Sequence, residues 1–411
     1  MIPELLAPAG SYVCAEAAFA QGADAVYAGI GRFNLRAHSP NFSIEDFSEL
    51  VDYASTINKR VYGALNIMPD DEMFAQIEDC LERMAESGRR PHAFIVSDPG
   101  VLSLVTEIFN DIPIHLSTQS GCFNSVAMRF WRERGVCRAI LPRELNIEQI
   151  GKFSSTGIME TEIFIHGAMC VSVSGRCLLG TYYNARHPNL GDCPQPCRFK
   201  YRIVPVEQDG VDFTHAGFDA EESEGGVYLL NSKDLCTVDI LPALIESGAA
   251  SLKIEGRNKS PHYVASVVKV YRDAIDSYIA DPRNYKVKKW WTEELETIEH
   301  RPYTTGFYAG DPIKQELFTS KAQAGYRLAG TVKAVIDGRP VVDVKNGFSA
   351  PGPVNILPVT TGREPFELTF EKIKELDGSE TDCHRTRPNR LVVLDGCNEK
   401  LRIGDMLRVG T

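Results

Sequence analysis

The sequence predicts an α/β chain: a (β/α)8 TIM-barrel-like N-terminal domain followed by a small C-terminal antiparallel β-barrel. Eight short apolar runs recur between Glu4 and Arg257, with helix-like segments between most neighbours. From about residue 325 the pattern changes to alternation of apolar and polar residues between Asp-Gly, Asn-Gly and Pro-Gly turns. The length of 411 residues, 43% hydrophobic and 24% charged, is ample for a large core and two domains.

The expected strands are ELLAPAG from Glu4, ADAVYAGI from Ala23, RVYGALNI from Arg60, AFIVSDPG from Ala93, IPIHLSTQ from Ile112, RAILPREL from Arg138, TEIFIHG from Thr161 and SLKIEGR from Ser251. The segments Ser11–Gln21, Ser43–Thr56, Asp71–Ala85, Asn124–Arg134, Asn146–Phe153 and Pro261–Ala280 read as helices, most of them opened by the Ser, Asp or Asn that an N-cap needs. Eight βα repeats favour a closed barrel over an open doubly wound sheet. The open sheet would more often show a Gly-rich phosphate turn after its first strand, and the nearest match, Gly29-Ile30-Gly31, lacks the third glycine.

Residues 1–280 are thus expected to form the barrel, interrupted at 167–250 by a cysteine-rich insertion that leaves the C-terminal end of the seventh strand, where barrels build their active sites. Within the insertion, the acidic stretch 218–226 reads as a solvated loop. A linker region spans 281–324, ending in the polar connector near Ser320–Gly325, and the β-barrel covers 325–411. The late Ile-Gly-Asp-Met-Leu element looks like the closing strand of barrels found in translation factors.

With 55 acidic and 44 basic side chains the formal charge is -11, so no global field draws nucleic acid, and any RNA contact needs a local basic patch. Arg198-Phe-Lys-Tyr-Arg202 and Lys286-Val-Lys-Lys-Trp-Trp291 mix cations with aromatics in the manner of single-stranded RNA surfaces, and equally in the manner of ordinary solvated faces. The opening MIPELLAPAGSY lacks a basic leader and a long apolar run, and no stretch approaches the roughly 18 apolar residues of a membrane span. The expectation is a cytoplasmic protein with no membrane partner.

Eleven cysteines, an odd number in a long chain, argue against a disulfide framework. Cys14, Cys80, Cys122, Cys137, Cys383 and Cys397 are scattered and read as buried thiols, while Cys170, Cys177, Cys193, Cys197 and Cys236 share the insertion. The first four are separated by six, fifteen and three residues, which lacks the short knuckles usual for zinc. An iron–sulfur cluster accepts more varied spacing, and Gly175 and Gly191 would let backbone pass close to it. Spacing leaves three readings open: iron–sulfur, zinc, or reduced buried thiols.

At this segment, His166-Gly-Ala-Met-Cys170 with Ser174-Gly-Arg-Cys177 resembles the signature of the collagenase-like peptidases of unassigned catalytic type, family thirty-two of that class. Pro3–Gly10, Gly22–Gly29, Ser97–Gly100, Asn231–Leu235 and Ser251–Arg257 are similar to further blocks of the same family, so the resemblance spans nearly the whole chain. It implies oxygen-independent or prephenate-dependent hydroxylation, of a wobble uridine in tRNA, a cytidine in ribosomal RNA or a quinone precursor, rather than the peptidase activity in the family's name. It also implies a 4Fe-4S cluster on Cys170, Cys177, Cys193 and Cys197, with Cys236 a rival for one of the last two places. Layout and length resemble the tRNA-hydroxylating members most. The implied partners are tRNA, a small-molecule metabolite such as prephenate, and an electron donor or second subunit.

The barrel pattern places Asn66, Asp98, Gln119, Arg143, Glu144, His166, Lys253, Glu255 and Arg257 at or just beyond strand ends, hence around one pocket. Arg143, Lys253 and Arg257 stand out because a dicarboxylate needs cationic forks. His166, four residues before Cys170, is a candidate general base beside a thiol, or a hydrogen-bonded strand-end histidine. A peptidase would have to rest on that pair, since no His-Glu-x-x-His helix occurs and Val171-Ser-Val-Ser-Gly175 departs from a nucleophile elbow. A non-catalytic RNA-binding or cluster-carrying protein is the third alternative.

Overall fold

The computed structural model describes residues 2–37, 41–202, 228, 230–310, 316, 319, 324–379 and 388–411. The acidic stretch 218–226, Cys383 and most of the connector near Ser320–Gly325 lie outside the described residues.

The barrel strands are β1 (Glu4–Ala9), β2 (Ala25–Gly29), β3 (Arg60–Leu65), β4 (Ala93–Val96), β5 (Ile114–Leu116), β6 (Val136–Ile140) and β7 (Glu160–Ala168), completed after a short β8 (Asp234–Cys236) by β9 (Ser251–Ile254). Neighbours pair in parallel in chain order, and the ring closes where β9 pairs with both β7 (Glu162 opposite Ser251) and β1 (Leu252 opposite Leu5). All eight expected strands are present in the expected order. Between them run α1 (Tyr12–Ala20), α2 (Ile44–Thr56), α3 (Asp71–Glu86), α4 (Pro99–Ile108), α5 (Ser125–Arg132) and α6 (Ile147–Ser155). Each starts on a side-chain oxygen that takes a first-turn amide: Ser11, Ser43, Asp70, Asp98, Asn124 and Asn146. Asp98, expected at the pocket, is therefore committed to capping α4, where its Oδ1 accepts from Gly100 N at 2.8 Å and Val101 N at 3.1 Å.

The insertion carries α7 (Leu179–Asn184) and α8 (Leu241–Glu246), and after β9 come α9 (Pro261–Ala280), α10 (Lys289–Glu296) and the two-residue β10 (Tyr303–Thr304). β7 outruns the barrel wall, so that His166, Gly167 and Ala168 pair antiparallel with β8, which pairs in turn with β10. At the top of β7 the register against β9 slips: Phe164 faces Lys253 and His166 faces Ile254, two residues along one strand against one along the other. Such a bulge changes which face the following side chain points to.

Small barrels fill their interiors with branched aliphatics. Here the lower interior is a column of alternating charge. Glu4 accepts from Tyr62 Oη at 2.6 Å, Arg138 Nη1 at 2.6 Å and Ser251 Oγ at 3.1 Å, and pairs with Arg60 at 2.6 Å. Arg138 also reaches Glu162 at 3.4 Å, and Glu162 accepts from Lys253 Nζ at 2.8 Å. Glu162 and Lys253 are fully or nearly fully buried, which they tolerate because each charge has an opposite partner in hydrogen-bond contact.

The C-terminal strands are β11 (Tyr326–Ile336), β12 (Arg339–Val344), β13 (Gly352–Leu357), β14 (Phe366–Phe370), β15 (Lys372–Lys374), β16 (Leu391–Asp395) and β17 (Met406–Gly410), in the antiparallel order β14-β13-β17-β11-β12-β16-β15. Asp337 and Gly338, with φ of 50° and 77°, form the tight turn between β11 and β12 that their sequence calls for. The sheet is a half-barrel whose end strands β14 and β15 do not pair with each other among the described residues. The Ile-Gly-Asp-Met-Leu element, expected to close a barrel, leads into β17, which lies near the centre of the sheet because both β13 and β11 pair with it. Its Arg408 is buried and reaches across to the barrel side, donating to Glu294 on α10 and to His262 Nε2 on α9, as well as to Asn355 on β13.

The tryptophans of the Lys286–Trp291 motif are core residues. Trp291 is fully buried with Nε1 donating to Asp273 at 2.8 Å, and Trp290 is buried beside it. That motif therefore offers no aromatic surface to RNA.

Candidate functional site

At the C-terminal end of the barrel lies a cavity of about 350 Å³ between the strand ends and the cysteine segment. Its base is Lys253 at the top of the charge column, with Nζ 4.2 Å from the centre of the Tyr27 ring. Above it, Glu255 accepts from Arg143 at 3.0 Å and from Arg36 at 3.5 Å. Burial alone would raise the Glu255 carboxyl, but Arg36, Arg143, Arg257 and Lys253 outweigh it and hold the group below the ordinary carboxylate range. Arg143 also lies over Phe164, its guanidinium carbon 3.8 Å from the ring centre.

Arg257 is differently placed. Its Nη1 donates to Asn34 Oδ1 at 2.7 Å, an amide rather than a carboxylate, and burial pushes it down to about 10, so it remains a cation at neutral pH. The neighbourhood depends on Gly29: a Cβ there would stand 2.7 Å from Arg257 Nη1 and 2.3 Å from Asn34 Nδ2. The glycine that failed as a phosphate turn makes room for this cation. Lys253 is drawn below the usual amine range by burial, against the pull of Glu162.

The four cysteines Cys170, Cys177, Cys193 and Cys197 all border this one cavity, from the side facing the barrel mouth. Cys193 and Cys197 lie within electrostatic range of Cys170 and Cys177, and burial raises both thiols, Cys197 to about 11. The Ser172 amide points at Cys170 Sγ at 3.5 Å, and the Leu179 amide at Cys177 Sγ at 3.4 Å. Among the described residues no three Cys, His, Asp or Glu side chains gather closely enough to hold a single metal ion.

The segment hangs from the barrel by a few polar ties. Glu144 Oε1 accepts from Ser174 N at 2.7 Å, Arg176 Nε donates to the Gln119 carbonyl at 2.6 Å, and Asn189 bonds Cys177 at both its amide (3.2 Å) and carbonyl (3.1 Å). Gln119, expected in the pocket, is buried beneath it and donates to Asn189 at 3.3 Å, so it holds the cysteine segment in place instead of lining the cavity. Gly191, at a φ of 87°, approaches the loop after β2 so closely that a Cβ would lie 2.3 Å from Asn34 O.

Of the residues singled out from sequence, Asn66, Arg143, Glu144, Lys253, Glu255, Arg257 and the four cysteines meet at the cavity. His166 does not. The bulge in β7 turns it away from the barrel axis into a box of Tyr263, Tyr271 and Tyr303, with ring centres 6.0, 5.6 and 5.4 Å away. There burial pulls the imidazole down to about 3, and its Nδ1 lies 3.4 Å from Tyr271 Oη. A general-base role beside Cys170 is lost with that orientation. Cys236, the rival ligand, sits in the same aromatic layer, 3.9 Å from Tyr271 Oη, and does not border the cavity. Three contributors went unnoticed in the sequence. Arg36 lies in a loop with no motif, while Tyr27 and Glu162 lie within expected strands and carry no spacing signal of their own.

The model of peptidase family U32 matches residues 10–317 of this chain. Over 412 aligned residues, 99% of this chain and 95% of the relative, it is 35% identical to tRNA hydroxylation protein P1 of Bacillus subtilis (strain 168). It is 38% identical over 343 residues, 74% of each chain, to tRNA hydroxylation protein P of Escherichia coli (strain K12). It is also 31% identical over 322 residues, covering 75% of this chain and 74% of the relative, to a protein named collagenase in Porphyromonas gingivalis (strain ATCC BAA-308 / W83). A family match that takes in both the barrel and the cysteine segment, together with a relative aligned from end to end, makes this chain a member of peptidase family U32.

Proposed function

We propose that this protein hydroxylates a tRNA base, the wobble uridine, using a 4Fe-4S cluster on Cys170, Cys177, Cys193 and Cys197 and prephenate as co-substrate. The observation that carries the reading is the convergence of four thiols and the cations Arg143, Lys253 and Arg257 on one cavity at the barrel mouth. The names of several relatives, at 34–38% identity, support tRNA as the substrate class.

The donor set suits the cluster. Four thiols bordering one cavity, at spacings without the short knuckles usual for zinc, suit a polynuclear centre. Amides directed at Cys170 and Cys177 stabilise thiolate charge. A cluster held there supplies one-electron redox chemistry. The chain's own residues do the rest: Arg257, whose present partner is a neutral amide, takes one carboxylate of a small dicarboxylate, and Arg143 exchanges its bond to Glu255 for the other. Lys253, held by Glu162, keeps the base of the pocket positive, and a cavity of about 350 Å³ is of the size that encloses a small metabolite.

The peptidase alternative required His166 beside Cys170, and His166 faces the tyrosines instead. Deleting the gene in its host and weighing tRNA nucleosides by mass spectrometry tests the proposal. Loss of 5-hydroxyuridine is expected; an unchanged level in a host without a redundant enzyme moves the role to another RNA, a quinone precursor or peptide hydrolysis.

A further inference from the structure

Helix α7 presents its apolar surface outward. Its one buried residue is Gly180, where a side chain would meet Pro194 Cδ at 2.7 Å and Pro188 Cγ at 3.0 Å, so the helix is pressed against two proline rings along its smallest face. Tyr182 and Tyr183 are consequently 82% and 60% exposed. The ring of Tyr183 lies 6.2 Å from that of Tyr201, which is fixed by its hydroxyl donating to Pro196 O at 2.7 Å, and Phe199 is exposed nearby in sequence. The patch adjoins the cavity, because Leu179 and Arg186, on either side of the tyrosine pair, both line it.

Charge points to the occupant. From Cys170 to Arg202 the chain has five cations (Arg176, Arg186, Arg198, Lys200, Arg202) against one acid, Asp192, although the whole protein has 44 against 55. Lys200 and Arg202 are exposed beside the aromatic group. Flat, exposed rings interleaved with cations suit unpaired nucleotides, whose bases are free to stack, and do not suit a duplex, whose bases are already stacked.

Building on the RNA-substrate reading above, we infer that Tyr182, Tyr183, Tyr201 and Phe199 form a stacking platform for the unpaired nucleotides flanking the target base, with Lys200 and Arg202 on the adjoining phosphates. Stacking on a ring reads no base edge, so the platform positions the loop over the cavity without choosing its sequence. The test uses the full chain and two fluorescent probes: an anticodon stem-loop, and a duplex of its stem sequence without the loop. Tyr182→Ala with Tyr183→Ala is expected to weaken stem-loop binding about tenfold or more and leave duplex binding unchanged, whereas Tyr182→Phe with Tyr183→Phe retains it. Lys200→Ala with Arg202→Ala should instead flatten the salt dependence, by about 0.7 of a unit of log–log slope for each phosphate that is no longer neutralised. Unchanged stem-loop affinity in the alanine pair, or an equal loss on the duplex, overturns the platform. So does a change in the sedimentation of the protein with RNA affinity intact, which would mark a protein interface. Wild-type protein that binds neither probe overturns the RNA reading itself, and the platform with it.

Discussion

Glu4, inside the barrel, takes hydrogen bonds from Tyr62, Arg138 and Ser251 and an ion pair from Arg60, whereas Glu144, under the cysteine segment, keeps its buried Oε2 without a partner among the described residues. The contrast extends to the neighbours of each. The charge column pairs its ions from Arg60 to Lys253 and leaves over His115 Nδ1 beside Tyr62, while Gln119 Oε1, Ser174 Oγ and Arg36 Nε join Glu144 as buried polar atoms left over around the mouth. Ser174 is also held at a φ of 50°, a conformation that non-glycine residues rarely adopt. A region whose polar groups satisfy one another needs nothing further to fold. A region that leaves several of them without protein partners next to four thiols has hydrogen-bonding capacity open to solvent or to a bound group.

The largest effect should come from breaking the second region. Replacing any one of the four cavity cysteines, for example Cys193→Ser, is expected to abolish the iron and labile sulfide of anaerobically reconstituted protein and reduce tRNA hydroxylation to background. Near-wild-type circular dichroism should show that the barrel survives. Retention of full iron and sulfide would remove the cluster from the proposal.

Breaking the first region should act on stability instead. Glu162→Ala leaves Lys253 without its carboxylate in the barrel interior, while Arg138 keeps Glu4 and Glu160, and loss of one partner from a buried ion pair costs about 3–5 kcal/mol. Urea denaturation at neutral pH measures it, and the companion change Lys253→Met on the same background should recover part of the loss. A cost below about 1 kcal/mol, the size typical of an exposed pair, would show that water reaches the column.

Acid titration sharpens the comparison at an intermediate scale. Burial holds His166 and His262 neutral in the folded protein, each with a pKa of about 3 against an ordinary value of 6.5. The unfolded chain takes up these protons first, so the stabilisation is complete above pH 6.5 and is lost as the pH falls toward 3. Between pH 7 and pH 5 each site should cost about 2 kcal/mol, and His262→Gln should flatten its share of the slope in pH-dependent denaturation. The smallest effect is expected at Cys236: its serine variant should keep the iron content of the wild type, because that thiol faces Tyr271 outside the cavity.

Much of this was legible in the residues. The eight strands, the capping residues and the grouping of four thiols followed from period, N-cap chemistry and spacing, all of which are local properties. Of the two readings open for His166, the hydrogen-bonded strand-end histidine fits its contact with Tyr271, but its turn away from the cavity was not legible, because a one-residue slip against β9 leaves no mark in the sequence of either strand. Trp290 and Trp291 read as surface residues because lysines precede them in the sequence, yet Lys288 Nζ donates to the same Asp273 oxygen that anchors the Trp291 indole. The central place of β17 was likewise unreadable, since strand order in an antiparallel sheet depends on partners distant in sequence.

Arg408 has a consequence for dissecting the molecule. Because its guanidinium belongs to the C-terminal sheet and its carboxylate partner Glu294 to α10, a cut in the polypeptide near residue 325 would leave each fragment with an unmatched charge on a newly exposed apolar face, where Leu357 and Met406 had met Ala17 and Ala265. Limited proteolysis of the native protein in this region should yield two pieces that co-elute in gel filtration and separate only in denaturant, behaving as one mechanical body after the chain between them is severed.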